Sequence, residues 1–241
     1  MGIHSGHGKG CRYRLGNMQA RQQNVSLVYI VMVTLPLFPL SIVVFPGEEL
    51  KLHIFEPRYQ QLVHDCNKDD ITFGIPPYLD GKSLKYGTEL RLTEISKTYA
   101  DGKIDIQAKG IGWFVIDDFF RIMHGKLYPG GNIQRMSWTE NADIVYSTLI
   151  VTLIEDLYKT MKINNIQIPT ATKYRTFHLA HKIGLNIEQE LQLLTISNEV
   201  DRQVFIIEHL EHLLPIVKDA ENLRKRAELN GHFQLIIPPE I

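Results

Sequence analysis

LPLFPLSIVVFPGEELKLHIFEPRY, Leu35 to Tyr59, carries the pattern on which the reading of the whole chain rests. Pro36, Pro39 and Pro46 each remove a backbone donor, so the apolar residues around them suit edge strands and not a helix or a central strand. Pro46-Gly47 joins a fixed φ to a permissive one, the combination a type II turn requires. Leu50, Leu52 and Ile54 then alternate with Lys51, His53 and Phe55, which predicts a half-buried strand. At Glu56-Pro57 the period changes. Proline fits a first helical position, and Tyr59, Leu62, Val63 and Cys66 follow at helical spacing. The expected order is strand, tight turn, strand, short helix.

Further along, Ile71 to Ile75 reads as a short strand stopped by Pro76-Pro77, and Tyr78 to Tyr86, with Asp80-Gly81, as an exposed loop or hairpin tip. Thr88 to Tyr99 and Lys103 to Ile116 are strand-like and joined by Asp101-Gly102, a strong hairpin signal. Phe119 to Leu127 and Ile133 to Trp138 can supply the last strands, with Pro129-Gly130-Gly131 as the turn between them. Short strands at this spacing predict a curled sheet or pseudo-barrel. Around Ser137 the pattern becomes helical. Ser137 and Glu140 have capping-box spacing, and Tyr146, Ile150, Leu153 and Leu157 mark one face, with Leu149, Ile154 and Met161 beside it. A second helix is expected from about Thr172 to Lys182, stopped by Gly184. Asn186 is expected to cap a third, with Leu191 and Leu194 inward, and Ser197 a last one kinked at Pro215.

The run LPLFPL followed by VVFPGEELKLHIFEPRY resembles the opening of the LON substrate-binding domain family, the amino-terminal domain of Lon-type ATP-dependent proteases. Tyr86-Gly87-Thr88 with Leu90 and Leu92, and Ile104 to Asp117 with its Gly112-Trp113-Phe114 step, are similar to the family's next strands. Gly184 to Leu194, with Arg202 following, resembles its helical part, so that the likeness spans about Thr34 to Leu229. The resemblance implies an α+β fold, with a PUA-like β pseudo-barrel over residues 33–137 followed by a helical subdomain over 138–229. Residues 1–32 then read as a disordered leader or a mis-assigned start, with Met32 as an alternative first residue. Residues 230–241 form an apolar tail that packs back on the domain or docks on a partner. The implied function is a non-catalytic module that binds protein or peptide segments, with unfolded substrates or a protease as the partners. An RNA-binding PUA-like protein is the alternative.

Composition bears on that choice. The 241 residues are 44% hydrophobic and carry a net charge of −1, enough for a sizeable core and no sign of a strongly basic nucleic-acid face. Basic residues are dispersed except near Lys218 to Arg226. Cys11 and Cys66 lie far apart and in no CxxC spacing, which fits a reducing, cytoplasmic compartment. Lys9, Arg12, Arg14 and Arg21 precede an uncharged run from Asn24 to Pro46, but its prolines argue against a membrane span and no A-x-A cleavage site follows.

Catalytic and cofactor motifs are weak. Gly81-Lys82-Ser83 comes near a phosphate-binding loop, yet Pro76 stands where the first glycine is needed, so neither nucleotide nor cofactor is expected. His178/His181 and His209/His212 have helical spacing, but Arg175 and Ile206 occupy the positions where a ferritin-like site places glutamate, and no metal is expected. No Gly-x-Ser-x-Gly is present, Cys66 has no signature around it, and Asp69-Asp70 and Asp117-Asp118 sit at turns. An enzyme is therefore not expected, and the ATPase and peptidase parts of a Lon protease do not fit after this domain in the chain. Phe45, Phe55, Tyr78, Trp113, Phe114 and Tyr128 are the peptide-binding candidates, mostly core, with any that line a groove the best contacts. Pro46, Gly47, Glu56, Pro57, Arg58 and Tyr59 read as structural. Glu56 is expected to cap the helix at Pro57 and Arg58 to tie it to the sheet through backbone carbonyls.

Overall fold

The long strand β7 (Ile104–Phe120) is the spine of the sheet, pairing in turn with three others. The computed structural model describes residues 33–233, with side chains as far as 228. The expected leader lies outside these residues, as does most of the expected tail. Antiparallel partners of β7 are β2 (Glu49–Ile54), β6 (Tyr86–Thr98) and β8 (Gly130–Met136), while β1 (Val33–Pro36) adds to β8 and β3 (Phe73–Ile75) to β6. Tyr78–Leu79 and Lys82–Ser83, strands β4 and β5, form a separate hairpin. Asp80 and Gly81 turn it at φ +48° and +77°, so the glycine-lysine-serine run is a hairpin tip.

Among the described residues no closed barrel forms. The sheet path runs β1-β8-β7-β6-β3, and its two ends are joined only by isolated bridges, Leu37 to Gly74 and Leu40 to Pro77. Pro36, Pro39, Pro76 and Pro77 lack the N–H groups that a continuous ladder needs on both sides of that seam. The register of the β6–β7 pair shifts where Leu90 faces Gly110 but Glu89 faces Gly112, which leaves Ile111 as the extra residue of a bulge. Nearby, a Cβ on Gly110 would lie 2.4 Å from the Phe45 carbonyl oxygen. Glycine alone lets the Phe45–Gly47 turn sit on β7, where Gly47 N–H donates to Gly110 O at 2.8 Å.

The last strands differ from expectation. β7 continues to Phe120, and Gly130 and Gly131 are not a turn but the start of β8. Gly131 packs against the Asp118 carbonyl, 2.7 Å from where its Cβ would be, so these glycines serve close strand approach. Helix α1 (Pro57–Asp69) buries Tyr59, Leu62, Val63 and Cys66 as its spacing predicts, against Phe38, Phe73, Leu90 and Ile106. Its expected cap does not form. The Glu56 carboxylate makes no cap bond, because it is held by Arg58 (Nε to Oε2, 2.8 Å). Arg58 correspondingly lies over the Tyr59 ring and is paired with Glu56 rather than with sheet carbonyls.

Helix α2 (Ile144–Met161) starts later than Ser137, with Asp143 as its cap. The delay has a cause downstream: Thr139 N–H donates to Ser197 O (2.7 Å), and Thr139 O accepts from Glu199 N (3.1 Å), which keeps this stretch extended. The same contact removes Ser197 as a cap, and Asn198 Oδ1 takes the Val200 N–H at the head of α4 (Glu199–Phe233), which continues through Pro215. Between them lie a 3₁₀ helix (Thr176–Lys182) in place of the longer helix expected from Thr172, and α3 (Ile187–Thr195), closed by an Asn186/Gln189 capping box. Leu193 and Leu194 face inward on α3, while Leu191 is half-buried. Ile150, Ile154 and Leu157 of α2 pack with Ile206, Leu210 and Leu214 of α4, and the cluster continues into Val43, Phe45 and Trp113 of the β part.

Candidate functional site

Two clefts meet at Ile111 and Trp138, which line both. Ile111, the extra residue of the bulge, is 42% exposed in the middle of β7. Trp138 lies two residues past the end of β8 and next to Thr139, which bonds to the head of α4. The first cleft, about 730 Å³, lies between β1 and the α1–β3 connection, with Trp113 and Glu89 in its wall. Glu89, 4% exposed, accepts from Arg135 Nε (2.6 Å) and Nη2 (2.8 Å) and from Thr72 Oγ1 (2.5 Å). Burial pushes its carboxyl upward, but the Arg135 and Thr72 hydrogen bonds and the charges of Arg135 and Arg91 outweigh that and hold it below the ordinary glutamate range. The other cations of this cleft are also paired: Arg91 with Asp70 at 2.9 Å and Lys126 with Asp65 at 2.7 Å. Asp65 also accepts from Tyr128 at 2.7 Å.

The second cleft, about 270 Å³, is bounded by Pro46-Gly47, by Glu140, and by the 3₁₀ helix entrance from Arg175 to His178. Its floor is Phe177, stacked on Phe45 with centroids 4.9 Å apart and covered by the Arg202 guanidinium at 4.7 Å. Arg202, 1% exposed, binds Glu199 (2.8 Å) and the Ile196 carbonyl (2.7 Å). Beside this cleft His181 bridges Glu190 (2.7 Å) and Glu48 (3.2 Å); the Glu190 and Glu48 hydrogen bonds push its pKa up to about 9 despite partial burial. The carboxylates that take a threonine hydroxyl in these walls, Glu89 from Thr72 and Glu199 from Thr176, are each also held by an arginine. The clefts present apolar surface at Ile111 and Trp138 flanked by ion pairs.

The sequence profile of the ATP-dependent protease La (LON) substrate-binding domain matches residues 34–212. The chain belongs to that family. Comparison with curated proteins gives no match. Among solved structures, the LON domain here is similar to the Lon N-terminal domain protein from Xanthomonas campestris, with 26% identity and TM-score 0.53 over 76% of this chain and 98% of that one. The N-terminal domain of Mycobacterium avium complex Lon protease matches at 14% identity and TM-score 0.55, over 74% of this chain and 98% of that one, which is a likeness of fold alone.

Of the aromatic candidates in this LON domain, Trp113 and Tyr128 are buried at the border of the first cleft, while Phe45 and Phe114 lie wholly in the core. Phe55, 61% exposed, sits at the end of β2, and Tyr78, 43% exposed, in the small hairpin; neither reaches either cleft. Pro46 and Gly47 line the second cleft, whereas Glu56, Pro57, Arg58 and Tyr59 form the start of α1 away from both. His209 Nε2 meets the Ile183 carbonyl at 2.9 Å, and no group of three His, Cys, Asp or Glu among the described residues is placed to hold a metal. Sequence reasoning missed Ile111, Trp138, Glu89, Arg135 and Arg175. Gly110-x-Gly112 inside a strand was a usable bulge signal for Ile111; Arg175 had none. No helix among the described residues is long and apolar enough to cross a membrane.

Proposed function

We propose that this LON domain is a non-catalytic module that binds extended, partly apolar protein segments, unfolded substrates among them, along the groove formed by the two clefts. The observation that carries the reading is Ile111, an apolar side chain exposed at a bulge and lining both clefts together with Trp138. Bulges re-aim side chains at functional positions, and an exposed apolar anchor between two concavities is the form that chain recognition takes. The cations of the first cleft are each held by a carboxylate, so little free positive charge remains for a phosphate backbone; that favours a protein segment over RNA. The isolated bridges across the β1–β3 seam support describing the sheet as an incompletely closed, PUA-like pseudo-barrel. A buried Cys66, its thiol pushed up to about 12 by burial, fits work in the cytoplasm.

The test is fluorescence anisotropy of labelled unfolded chains, such as a reduced and alkylated protein, against the full chain and its Ile111→Ser and Trp138→Ala variants. Removing either anchor is expected to weaken binding by about tenfold or more, the equivalent of one lost apolar side-chain contact; Ile111→Ser should leave the melting temperature little changed, while Trp138→Ala, which also loses packing on the core, should lower it. Binding that ignores both substitutions, or an RNA probe that binds more tightly than every polypeptide, overturns the reading.

A further inference from the structure

We infer that the second cleft recognises an acidic side chain, Asp or Glu, of the bound segment, with Arg175 as its partner. The inference rests on the groove reading above. Of the arginines and lysines lining the two clefts, Arg91, Lys126, Arg135 and Arg202 each have a carboxylate partner within the fold. Arg175 has none among the described residues. Its Nη1 donates to the Tyr174 carbonyl at 2.7 Å, which orients the guanidinium and leaves Nε and Nη2 open to a bidentate carboxylate.

The backbone that carries Arg175 is fixed, as a recognition residue requires. The next residue, Thr176, donates through N–H (3.0 Å) and Oγ1 (2.7 Å) to Glu199, which is itself locked by Arg202. Phe177 beyond it is clamped between Phe45 and Arg202. Gly47, which lines the same cleft, has open space where a Cβ would stand. His178 lines the same cleft as a further donor, and Glu140 is the one lining carboxylate without an ion-pair partner among the described residues. A segment whose apolar side chain rests on Ile111 and Trp138 would bring an acidic neighbour to Arg175, while Glu140 limits how much negative charge is tolerated.

The experiment is a peptide array probed with the labelled full chain, built from matched pairs in which an apolar run is followed by Glu or Asp in one copy and Gln or Asn in the other. Acid and amide carboxy termini are included for each. The acidic copy is expected to bind about fivefold more tightly, as a charge-assisted bidentate pair gives. Arg175→Met should erase that preference while binding still depends on Ile111, and Glu140→Gln should enlarge it. Equal binding of the two copies, a preference that survives Arg175→Met, or a dependence only on the terminal carboxylate overturns the acidic-side-chain reading and leaves the groove standing. If no peptide on the array binds, the groove reading fails and this inference with it.

Discussion

Glu89 and Arg135 form a two-pronged ion pair across β6 and β8, in which the carboxylate is buried and the guanidinium is half-exposed. The asymmetry decides what mutation does. Arg135→Ala strands a buried charge and is expected to cost about 1 to 3 kcal/mol, whereas Glu89→Gln frees a guanidinium that water can reach and costs less. The pair also sets a pH dependence. Because the folded carboxyl lies below the ordinary value of 4.5, its stabilisation is complete above that pH and is lost as pH falls through the depressed folded value. The gap between wild type and Arg135→Ala in urea denaturation should therefore narrow on the acid side. A constant gap down to the lowest pH at which the chain folds would refute this account.

His181 gives the opposite sign. Its pKa is raised from 6.5 to about 9 by Glu190 and Glu48, so the stabilisation is whole below 6.5 and disappears as pH rises through about 9. Discounted for solvent screening of a partly exposed ring, the clamp is worth about 1 to 2 kcal/mol. His181→Phe keeps a ring against Phe45 and removes the charge, so it should be less stable than wild type at pH 6 and level with it near pH 10. Chemical denaturation across that range reads the difference directly.

Three glycines of one neighbourhood should separate cleanly. Gly110→Ala drives a Cβ to 2.4 Å from a backbone oxygen and is expected to cost about 2 to 3 kcal/mol, since neither chain can yield cheaply. Gly47→Ala meets nothing within 4 Å but must hold φ near +87°, a strain of about 1 to 2 kcal/mol. Gly112→Ala finds only Trp138 at an ordinary 3.7 Å and should be neutral or slightly stabilising through the unfolded chain. Urea midpoints in any other order would contradict these contacts.

The parts of the fold that were legible in the sequence are those set by local rules. Pro46-Gly47, the alternation at Leu50, Leu52 and Ile54, the helical spacing from Tyr59 to Cys66 and the Asp101-Gly102 turn each act within a few residues, and each element lies where expected. Helix starts went wrong where a distant partner intervened. Ser137 has capping spacing, but Thr139 is held straight by Ser197 and Glu199, some sixty residues along the chain. The proposed groove was hidden for the same reason. Its residue Ile111 lies at a register shift between two strands, and Trp138 and Arg175 come to line one cleft only through the packing at the head of α4. Large aromatics in the sequence, Phe45 and Phe114 above all, lie in the core and line neither cleft.

That packing hinges on Arg202, and its loss should be felt in the groove. Arg202 and Glu199 are both almost fully buried, and between them they bind Thr176, the Ile196 carbonyl, the Thr139 carbonyl at 3.4 Å and the Phe177 ring. Arg202→Ala leaves Glu199 as an uncompensated buried charge and is expected to cost about 3 to 5 kcal/mol. Combining Arg202→Met with Glu199→Gln removes both charges, so the double variant should lose less than the sum of the singles by about 1 to 3 kcal/mol. It should not recover fully, because the Ile196 and Thr139 carbonyls lose a donor and cannot be satisfied by methionine. Hydrogen exchange distinguishes a local effect from general loosening: the amides of Thr139 and Thr176 should exchange faster in the double variant while those of Leu62 and Val63 in α1 keep their protection. Uniform acceleration across α1 as well would mean that Arg202 supports the whole fold and not specifically the wall on which Trp138 and Arg175 stand.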